Sequence, residues 1–471
     1  MFNGRSSKLM DSLRTFEVLP LEPRTYLAAD PVMAWQQVML DAIKADSNHP
    51  GPGWSSRTMA IVSAAVFDTV NAFDGSYESY LVHKAAPRGA SMNAAIAAAA
   101  HDALLGIYPD QQARFDTALT ESLSHVPNGA SENSGVLFGR FVADAILRAR
   151  KHDGAERIVD YTPNPNPGYW QPDAVNLDQT AWGPGWGQVE PFTLKKGKQF
   201  RPPAPPSITS AQYTAAFNEV KAVGAKESAT RTPDQTQIAI FWAYDTVSTG
   251  TPPMLFDQAL RTISLQEGNT MVENARLLFL ANTALADAGI AAWDAKFAYE
   301  YWRPITGIRR ASEDGNPATI ADPTWIPLGA PGGGDVPDFT PPFPAYPSGH
   351  ATFAGALFEV LRQFYGTDNI HFTLTSDEMP GVTRSYTSLS QAAAECGISR
   401  VYMGVHWSFD DTVGRALGRS IADWAVDHVA EEQHSNRPGD APCQGPGSKP
   451  NLHSTPSKLI DSVMGNAKGL F

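Results

Sequence analysis

Three short segments in the C-terminal half of the chain together contain histidine, lysine and arginine side chains, the residue types that bind and activate oxyanions. The first segment runs from Trp293 to Pro304 and contains Lys296 and Arg303. If it is helical throughout, these two cations lie two turns apart and point from nearly the same face, which Trp293 shares. On its own, such a pair is more typical of a solvated helix face than of a ligand site.

The second segment is a proline-rich loop that leads into a helix. Residues 343–350 read FPAYPSGH and precede an apolar run. Ser348 suits the N-cap position, and Gly349 would let a ligand approach the backbone closely. Helix N-termini bind oxyanions through free N–H groups and the helix dipole, so His350 in the first turn would lie beside a bound anion. By itself, this segment is better explained as an ordinary capped helix with a surface histidine.

The third segment runs from Ser399 to Asp410 and contains an arginine, a histidine and an aspartate. The guanidinium of Arg400 offers a planar fork that suits oxyanions. Gly404 predicts the end of one helix, so that His406 would begin the next. Asp410, four residues later, would lie on the same face and accept the second N–H of the imidazole, which orients the ring. A histidine and an aspartate at this spacing are common by chance, so this segment is also ambiguous alone.

Together the segments form a specific pattern: Lys-x6-Arg-Pro, then Pro-Ser-Gly-His, then Ser-Arg-x5-His-x3-Asp. The pattern resembles the superfamily that joins vanadium-dependent haloperoxidases with type 2 phosphatidic acid phosphatases and bacterial acid phosphatases. The resemblance to the chloroperoxidase-like branch of the haloperoxidases extends from about Arg57 to Asp427. It includes the stretches WDAK and PPFPAYPSGHATF, and no motif position departs from the family pattern.

The resemblance implies that the cofactor is vanadate. His406 would bind the vanadium through an imidazole nitrogen, with Asp410 as the hydrogen-bond partner of the ring. The oxygens of the cofactor would be held by three cationic side chains, a hydroxyl and a backbone N–H, those of Lys296, Arg303, Arg400, Ser348 and Gly349. Three cations would balance an oxyanion whose burial would otherwise be very costly.

The reaction that the resemblance implies is the oxidation of a halide by hydrogen peroxide to hypohalous acid. The catalytic residues would be His350 as the acid–base group, Lys296 as the group that polarises bound peroxide, and His406 as the cofactor ligand. Trp293 and Phe343 match positions that line the halide pocket of chloride-oxidising members, so we expect oxidation of bromide and also of chloride. Packing in the core would explain the same two aromatic residues.

Two other functions are compatible with parts of this pattern. An acid phosphatase of the same superfamily would use His406 as a nucleophile, forming a phosphohistidine, with His350 protonating the leaving group. A helical binding scaffold with a dead site would have lost at least one residue of the motifs, and all of them are present.

The elements that must position these residues are predicted to be helices. Apolar residues recur at three- and four-residue spacing in many segments, and few stretches alternate with period two. One helical stretch, residues 260–302, is long enough to be two helices. The predicted fold is all-α, with two helical bundles and long Pro/Gly-rich connecting loops. The predicted parts are an N-terminal extension at 1–30, a first bundle at 31–160, a Pro/Trp-rich irregular connection at 161–207, a second bundle with the vanadate site at 208–430, and a largely irregular tail at 431–471.

The composition limits the partners of the protein. A formal charge of −13 argues against non-specific binding to nucleic acid or to anionic membranes, so an anion must bind in a local cationic pocket. Two cysteines exclude a disulfide framework. No apolar run is expected to span a membrane, and the N-terminus lacks the apolar core of a conventional signal peptide. Residues 21–28 resemble a leader of exported bacterial proteins, and a disordered terminus explains them equally well. The cell compartment, the oligomeric state (a homo-oligomer included) and any small organic acceptor stay open.

Overall fold

The computed structural model describes residues 30–48, 51–246, 249–333 and 336–433, and nearly all of its regular structure is helical. The helices are α1 (Pro31–Ala45), α2 (Pro52–Asp74), α3 (Met92–Ile107), α4 (Gln112–Ser124), α5 (Ala130–Arg150), α6 (Ala211–Val223), α7 (Pro233–Phe241), α8 (Pro252–Glu267), α9 (Met271–Tyr299), α10 (Pro304–Arg309), α11 (Gly349–Tyr365), α12 (Leu389–Tyr402) and α13 (Ser408–His428). One antiparallel hairpin joins β1 (Phe372–Thr375) to β2 (Thr383–Tyr386), with Phe372 opposite Tyr386. The all-α prediction is confirmed.

The boundary between α8 and α9 follows local capping chemistry. Gly268 ends α8 with φ 73°, a left-handed conformation that glycine adopts easily. Thr270 begins α9 with a capping box, because its hydroxyl accepts the N–H of Glu273 while the Glu273 carboxylate accepts the N–H of Thr270. The predicted helical stretch at 260–302 is therefore divided, and two separate helices cover most of it.

The core of the described protein is built around α9, which packs against α2, α11 and α13. By length and composition α9 could cross a membrane, so the expectation that no apolar run reaches that length was wrong. In this fold 94% of its most apolar window is buried inside the protein. Phe279, for example, stacks on Phe67 of α2 with ring centroids 4.6 Å apart. Such burial stabilises a folded protein by about 1.5–3 kcal/mol per large apolar side chain.

The chain between α5 and α6, residues 161–207, is irregular apart from two short 3-10 turns. Asp287 of α9 holds it in place, because its carboxylate accepts the backbone N–H groups of Phe192, Thr193 and Leu194 at 2.7–3.0 Å. A buried carboxylate with three such donors ties this connection to the central helix.

The largest apolar core contains residues of both predicted bundles, from Val32 to Ala430, and the division into two bundles stays a prediction. The predicted extension at 1–30 and the tail at 431–471 lie almost entirely outside the described residues.

Helices α11 and α13, whose first turns contain the ends of two of the three motif segments, lie close together. A Cβ on Gly418 would lie 2.1 Å from the Thr352 carbonyl oxygen, and one on Gly355 would lie 2.4 Å from the Arg415 carbonyl oxygen. Only glycine leaves room for this approach of two backbones. The close packing brings the N-terminal ends of both helices to one place, since Ser348 N–H donates to the Asp410 carbonyl at 3.1 Å.

Candidate active site

Lys296 and Arg303 come from two different helices. α9 ends at Tyr299, and Glu300 follows in the left-handed conformation with φ 50°. Arg303 is the extended N-cap of α10, with ψ 157°, because a residue that precedes proline is disfavoured in the helical conformation. The prediction that both cations share one helix face was therefore wrong, although the turn at Glu300 keeps them in the same site.

Lys296 is fully buried and holds the proline-rich loop. Its Nζ donates to the carbonyl oxygens of Pro344, Ala345 and Pro347 at 2.8, 2.9 and 2.6 Å. Burial, followed by the charge of Arg303, holds the pKa of Lys296 well below its usual value. All three ammonium protons have acceptors, so contact with an oxyanion would require one of these bonds to be exchanged.

Arg303 connects the loop to the histidine of the third segment. Its Nε donates to the Phe343 carbonyl at 2.8 Å, and its Nη1 donates to the Val405 carbonyl at 2.7 Å and lies 2.9 Å from Nε2 of His406. Its Nη2 is buried and has no hydrogen-bond partner. One guanidinium N–H group is therefore left to bind another acceptor.

His406 is neutral, and its tautomer is fixed by its neighbours. It precedes the first residue of α13 by two positions, so it does not begin that helix as the sequence predicted. Its Nδ1 lies 2.9 Å from Oδ2 of Asp410, which makes Nδ1 the donor and Nε2 the nitrogen with a lone pair. Burial, then Arg303 and Lys296, holds the pKa of His406 well below its usual value. The neutral imidazole is the form that binds metals, and a metal at Nε2 would replace the N–H of Arg303 Nη1 that donates to this nitrogen.

Asp410 is buried behind this imidazole. Its Oδ2 also accepts the N–H of Trp407 at 3.1 Å. Burial raises the pKa of Asp410 to about 7, against the opposing effects of the Trp407 N–H and the charges of Lys296 and Arg303. The carboxylate is thus paired with a donor at the histidine, as the spacing predicted.

Arg400 is the cation with the most unused hydrogen-bonding capacity. Its Nη2 donates to Oδ2 of Asp245 at 3.0 Å, while its Nε and Nη1 are buried and have no partner. An unpaired donor costs about 1–3 kcal/mol when buried, and a charged one costs more. Three buried guanidinium nitrogens without partners, counting Nη2 of Arg303, indicate a place for an oxyanion.

The first turn of α11 provides the remaining polar groups. Ser348 is its N-cap and accepts the N–H of Ala351, as predicted. Gly349 lies against the indole of Trp293, where an added Cβ would come within 3.3 Å of the ring. His350 Nε2 lies 3.0 Å from the Ala243 carbonyl. Burial and then the charge of Arg400 hold the pKa of His350 well below its usual value, so this histidine is neutral as well.

A cavity of about 620 Å³ joins most of these groups. The predicted site residues in its wall are Trp293, Phe343, Gly349, His350, Arg400 and His406. The rings of Trp293 and Phe343 pack with centroids 4.8 Å apart. The remaining predicted residues contact or adjoin this wall: Lys296, Arg303, Ser348 and Asp410. The structure therefore brings all the predicted site residues together.

Known proteins are similar to this chain in both sequence and fold. A family model described as the VCPO second helical-bundle domain matches residues 276–435. Vanadium chloroperoxidase from Curvularia inaequalis is 32% identical over 378 residues, which cover 65% of this chain and 61% of that protein. The solved structure of the first bacterial vanadium-dependent iodoperoxidase is 27% identical, with a TM-score of 0.71 over 84% of this chain and 96% of that one. The chain is therefore similar in sequence and in fold to vanadium haloperoxidases.

A structure of lower sequence identity has the same fold. The holo form of a bacterial vanadium-dependent chloroperoxidase superposes with a TM-score of 0.61 at 18% identity, over 82% of this chain and 94% of that one. The chain spans about 61% of the length of the Curvularia protein. The matched domain, residues 276–435, contains each of the three motif segments.

The donor set fits a vanadium-centred oxyanion. The three unpaired guanidinium nitrogens, the first turn of α11 and the lone pair of His406 Nε2 are the groups that a tetrahedral oxyanion centred on a metal requires. Among the residues that the structure describes, no group of three or more histidine, cysteine, aspartate or glutamate side chains could hold a bare metal ion.

Sequence reasoning missed Asp245, which follows α7 and binds Arg400. Its backbone N–H and that of Thr246 donate to Oε1 of Glu378 at 2.7 and 2.8 Å, which anchors the loop. Asp245 lies outside the three motif segments and in a stretch without periodicity. Its role depends on a contact with a residue 155 positions away, and no local pattern could have found it.

Proposed function

We propose that this protein is a vanadate-dependent haloperoxidase that oxidises halide ions with hydrogen peroxide to hypohalous acid. The observation that carries the proposal is the set of three buried, unpaired guanidinium nitrogens of Arg303 and Arg400 around a neutral His406. Hydrogen peroxide and halide are its small-molecule substrates. The vanadium chloroperoxidase and iodoperoxidase to which the chain is similar support the same class of reaction.

The residues that would hold vanadate are those that offer a nitrogen lone pair or N–H groups without partners. His406 would bind vanadium through Nε2, and Arg303 and Arg400 would donate their unused N–H groups to its oxygens. The N–H of Gly349 and the hydroxyl of Ser348, at the start of α11, would add neutral donors. Lys296 would contribute charge from beside the loop that it holds. Bound vanadate supplies a Lewis acid that activates peroxide for transfer of oxygen to a halide.

His350 is the proposed acid–base group. The Ala243 carbonyl fixes Nε2 as the protonated nitrogen, so Nδ1 carries the lone pair. Because the pKa of His350 lies well below its usual value, the ring is neutral at neutral pH, and the Nδ1 lone pair is available to a proton of hydrogen peroxide. The imidazolium would hold that proton at Nδ1, from which it could be donated to a leaving oxygen.

Trp293 and Phe343 are the proposed walls of the halide site. Both line the cavity, and Phe343 lies under two cations, 5.1 Å from Lys296 Nζ and 4.9 Å from Cζ of Arg303. An apolar wall keeps a halide poorly solvated and therefore reactive, while the cations compensate its charge. We propose bromide as a substrate and chloride as a second one.

A paired assay of the purified protein tests the proposed function. With added vanadate, peroxide and bromide, the protein should brominate a phenol dye, and the His406→Ala variant should not. Without vanadate, hydrolysis of a phosphate ester is measured, because the same donors could hold a phosphoryl group. Rapid ester hydrolysis together with no dye bromination would reject the haloperoxidase and support a phosphatase that acts through a phosphohistidine.

A further inference from the structure

The cavity beside His406 is much larger than the substrates of halide oxidation require. Its volume is about 620 Å³, whereas a water molecule takes up about 30 Å³ of the liquid. A halide is a single atom, and hydrogen peroxide has two heavy atoms. Cavities of roughly 300–1,000 Å³ with mostly apolar walls and a few polar groups are typical of sites for small organic molecules.

The walls of the cavity away from the cationic groups are largely apolar. They come from helices α1, α2 and α11 and from the loops around residues 182 and 340, so distant parts of the chain build one surface. The large apolar side chains in these walls are those of Ile43, Tyr108, Trp182, Phe339, Phe343 and Phe353. Aromatic walls bind another ring well through offset and edge contacts.

Polar groups elsewhere in the wall already have partners. Lys44 Nζ forms an ion pair with Asp377 at 3.0 Å, and the hydroxyls of Ser55 and Thr251 lie 2.5 Å apart, within hydrogen-bonding distance. A charged molecule would have to compete with these contacts for a partner. The wall therefore favours a neutral occupant.

We infer that this cavity binds a neutral aromatic molecule, which the protein halogenates where it is bound. The inference rests on the proposed function, because hypohalous acid must form at the same site. A ring carbon attacks the halogen of that acid, so the carbon–halogen bond forms as the oxygen–halogen bond breaks. The proton leaving the carbon joins the departing hydroxide as water, and the peroxide consumed earlier is the only oxidant.

Competition between two phenols distinguishes bound from free acceptor in the unmodified protein loaded with vanadate. The neutral probe is 2-naphthol, and the charged competitor is 4-hydroxybenzenesulfonate, both present with bromide and peroxide. Slow addition of reagent hypobromous acid to the same mixture gives the product ratio of a free oxidant. We expect the enzyme to favour 2-naphthol by about tenfold over that ratio, equivalent to about 1.4 kcal/mol of selective binding. An identical ratio would overturn the inference.

A pair of substitutions at Ser55 locates the effect in the cavity. Ser55→Phe fills the space beside α2, and Ser55→Ala is the matched control that removes the hydroxyl without filling it. Triiodide formation from iodide and peroxide needs no organic acceptor. The rate with 2-naphthol divided by the triiodide rate should fall about tenfold in Ser55→Phe and stay near the wild-type value in Ser55→Ala.

The outcomes separate this inference from the proposed function. An unchanged rate ratio in folded Ser55→Phe would overturn the inference alone. If Ser55→Phe does not fold, the competition experiment decides by itself. Absence of triiodide formation by the unmodified protein would overturn the proposed function, and the inference with it.

Discussion

At the scale of single residues, the charges of the site are only partly balanced. Lys296, Arg303 and Arg400 are buried together. The carboxylates that act on them are those of Asp245 and Asp410 and, for Arg303, that of Asp173. Burial lowers the pKa of Lys296 and raises that of Asp410, so the charged form of each group is disfavoured inside the protein. A bound oxyanion would remove the imbalance, which explains why such a cluster can persist in a folded protein.

The two histidines should respond differently to removal. His406→Ala deletes the proposed metal ligand and should abolish vanadate binding, measured by titration calorimetry. His350→Ala should keep the bound vanadate and lower the rate of halide oxidation by about 10²–10⁴-fold, the usual contribution of an acid–base group. Loss of vanadate binding in His350→Ala, with binding kept in His406→Ala, would mean that the two roles are reversed.

Asp245 should act through Arg400. Asp245→Asn keeps the shape of the side chain but weakens the contact with Arg400 Nη2, so the guanidinium is less well oriented. We expect vanadate affinity to fall by about 10–100-fold, as for other residues that orient a ligand. Asp144→Asn, which weakens an exposed ion pair with Arg148, is the matched control and should bind vanadate normally. Equal affinity in both variants would contradict the orienting role of Asp245.

The residues of the site could be identified from the sequence because they are grouped in three local patterns. Ser348 as N-cap and Asp410 as the partner of His406 depend on neighbours within four positions. Asp245 could not be found, since its contact with Arg400 exists only in the folded chain. The hydrogen bonds from Lys296 Nζ to three backbone carbonyls could not be predicted from the sequence either, because the loop that provides these carbonyls is far away in the chain.

At the scale of elements, the packing of α11 on α13 sets the distance between the two histidines. The helices touch through glycines, and Gly418 has the least room, with the Thr352 carbonyl oxygen 2.1 Å from the position of an added Cβ. Since that contact is with backbone, no side-chain movement can relieve it. Any residue larger than glycine must push the helices apart.

Gly418→Ala should therefore affect both stability and the site. We expect the free energy of unfolding in urea to fall by about 1–3 kcal/mol, the usual cost of overpacking, and vanadate binding to weaken. Thr412→Ala lies on the same helix with its side chain exposed and serves as the control for helix content. Unchanged stability of Gly418→Ala would show that α11 and α13 can separate without cost.

Prediction of the elements succeeded where local periodicity and capping decide the structure. It failed at the end of α9, where a residue with φ 50°, Glu300, stops the helix without a glycine or asparagine to indicate it. Side-chain spacing then placed Arg303 on a helix that it does not belong to. A left-handed backbone conformation is locally unfavourable for glutamate, so tertiary contacts must maintain it. One such contact is the hydrogen bond from the Trp170 N–H to the Glu300 carbonyl at 2.6 Å.

At the scale of the whole molecule, an acidic protein surrounds a cationic site. The formal charge of −13 repels anions at a distance, but salt screens exposed charges beyond about 10 Å at 0.1 M. The buried cations near His406 are screened much less, so they dominate once an anion has entered the cavity. Net charge could be predicted from the sequence, whereas the joining of residues from Val32 to Ala430 in one apolar core could not, because it depends on long-range packing.

Overall stability should depend on pH through His101, which joins α3 to α4. Its Nδ1 lies 2.7 Å from Asp102 and its Nε2 lies 2.9 Å from Asp116. Burial lowers the pKa of His101, but the hydrogen bonds and charges of the two carboxylates raise it more, so the net shift is upward from 6.5. The charged imidazole is thus more favourable in the folded than in the unfolded protein.

The sign of the effect follows from this upward shift. A group whose pKa is higher in the folded state stabilises the protein fully below its unfolded pKa, here about 6.5. That stabilisation is lost as the pH rises through the folded pKa. The melting temperature of His101→Gln should therefore fall furthest below that of the wild type under mildly acidic conditions, and the gap should narrow at alkaline pH. His152→Gln, at an exposed position, controls for loss of a histidine; a gap for His101→Gln that widened with rising pH would contradict the ion-pair account.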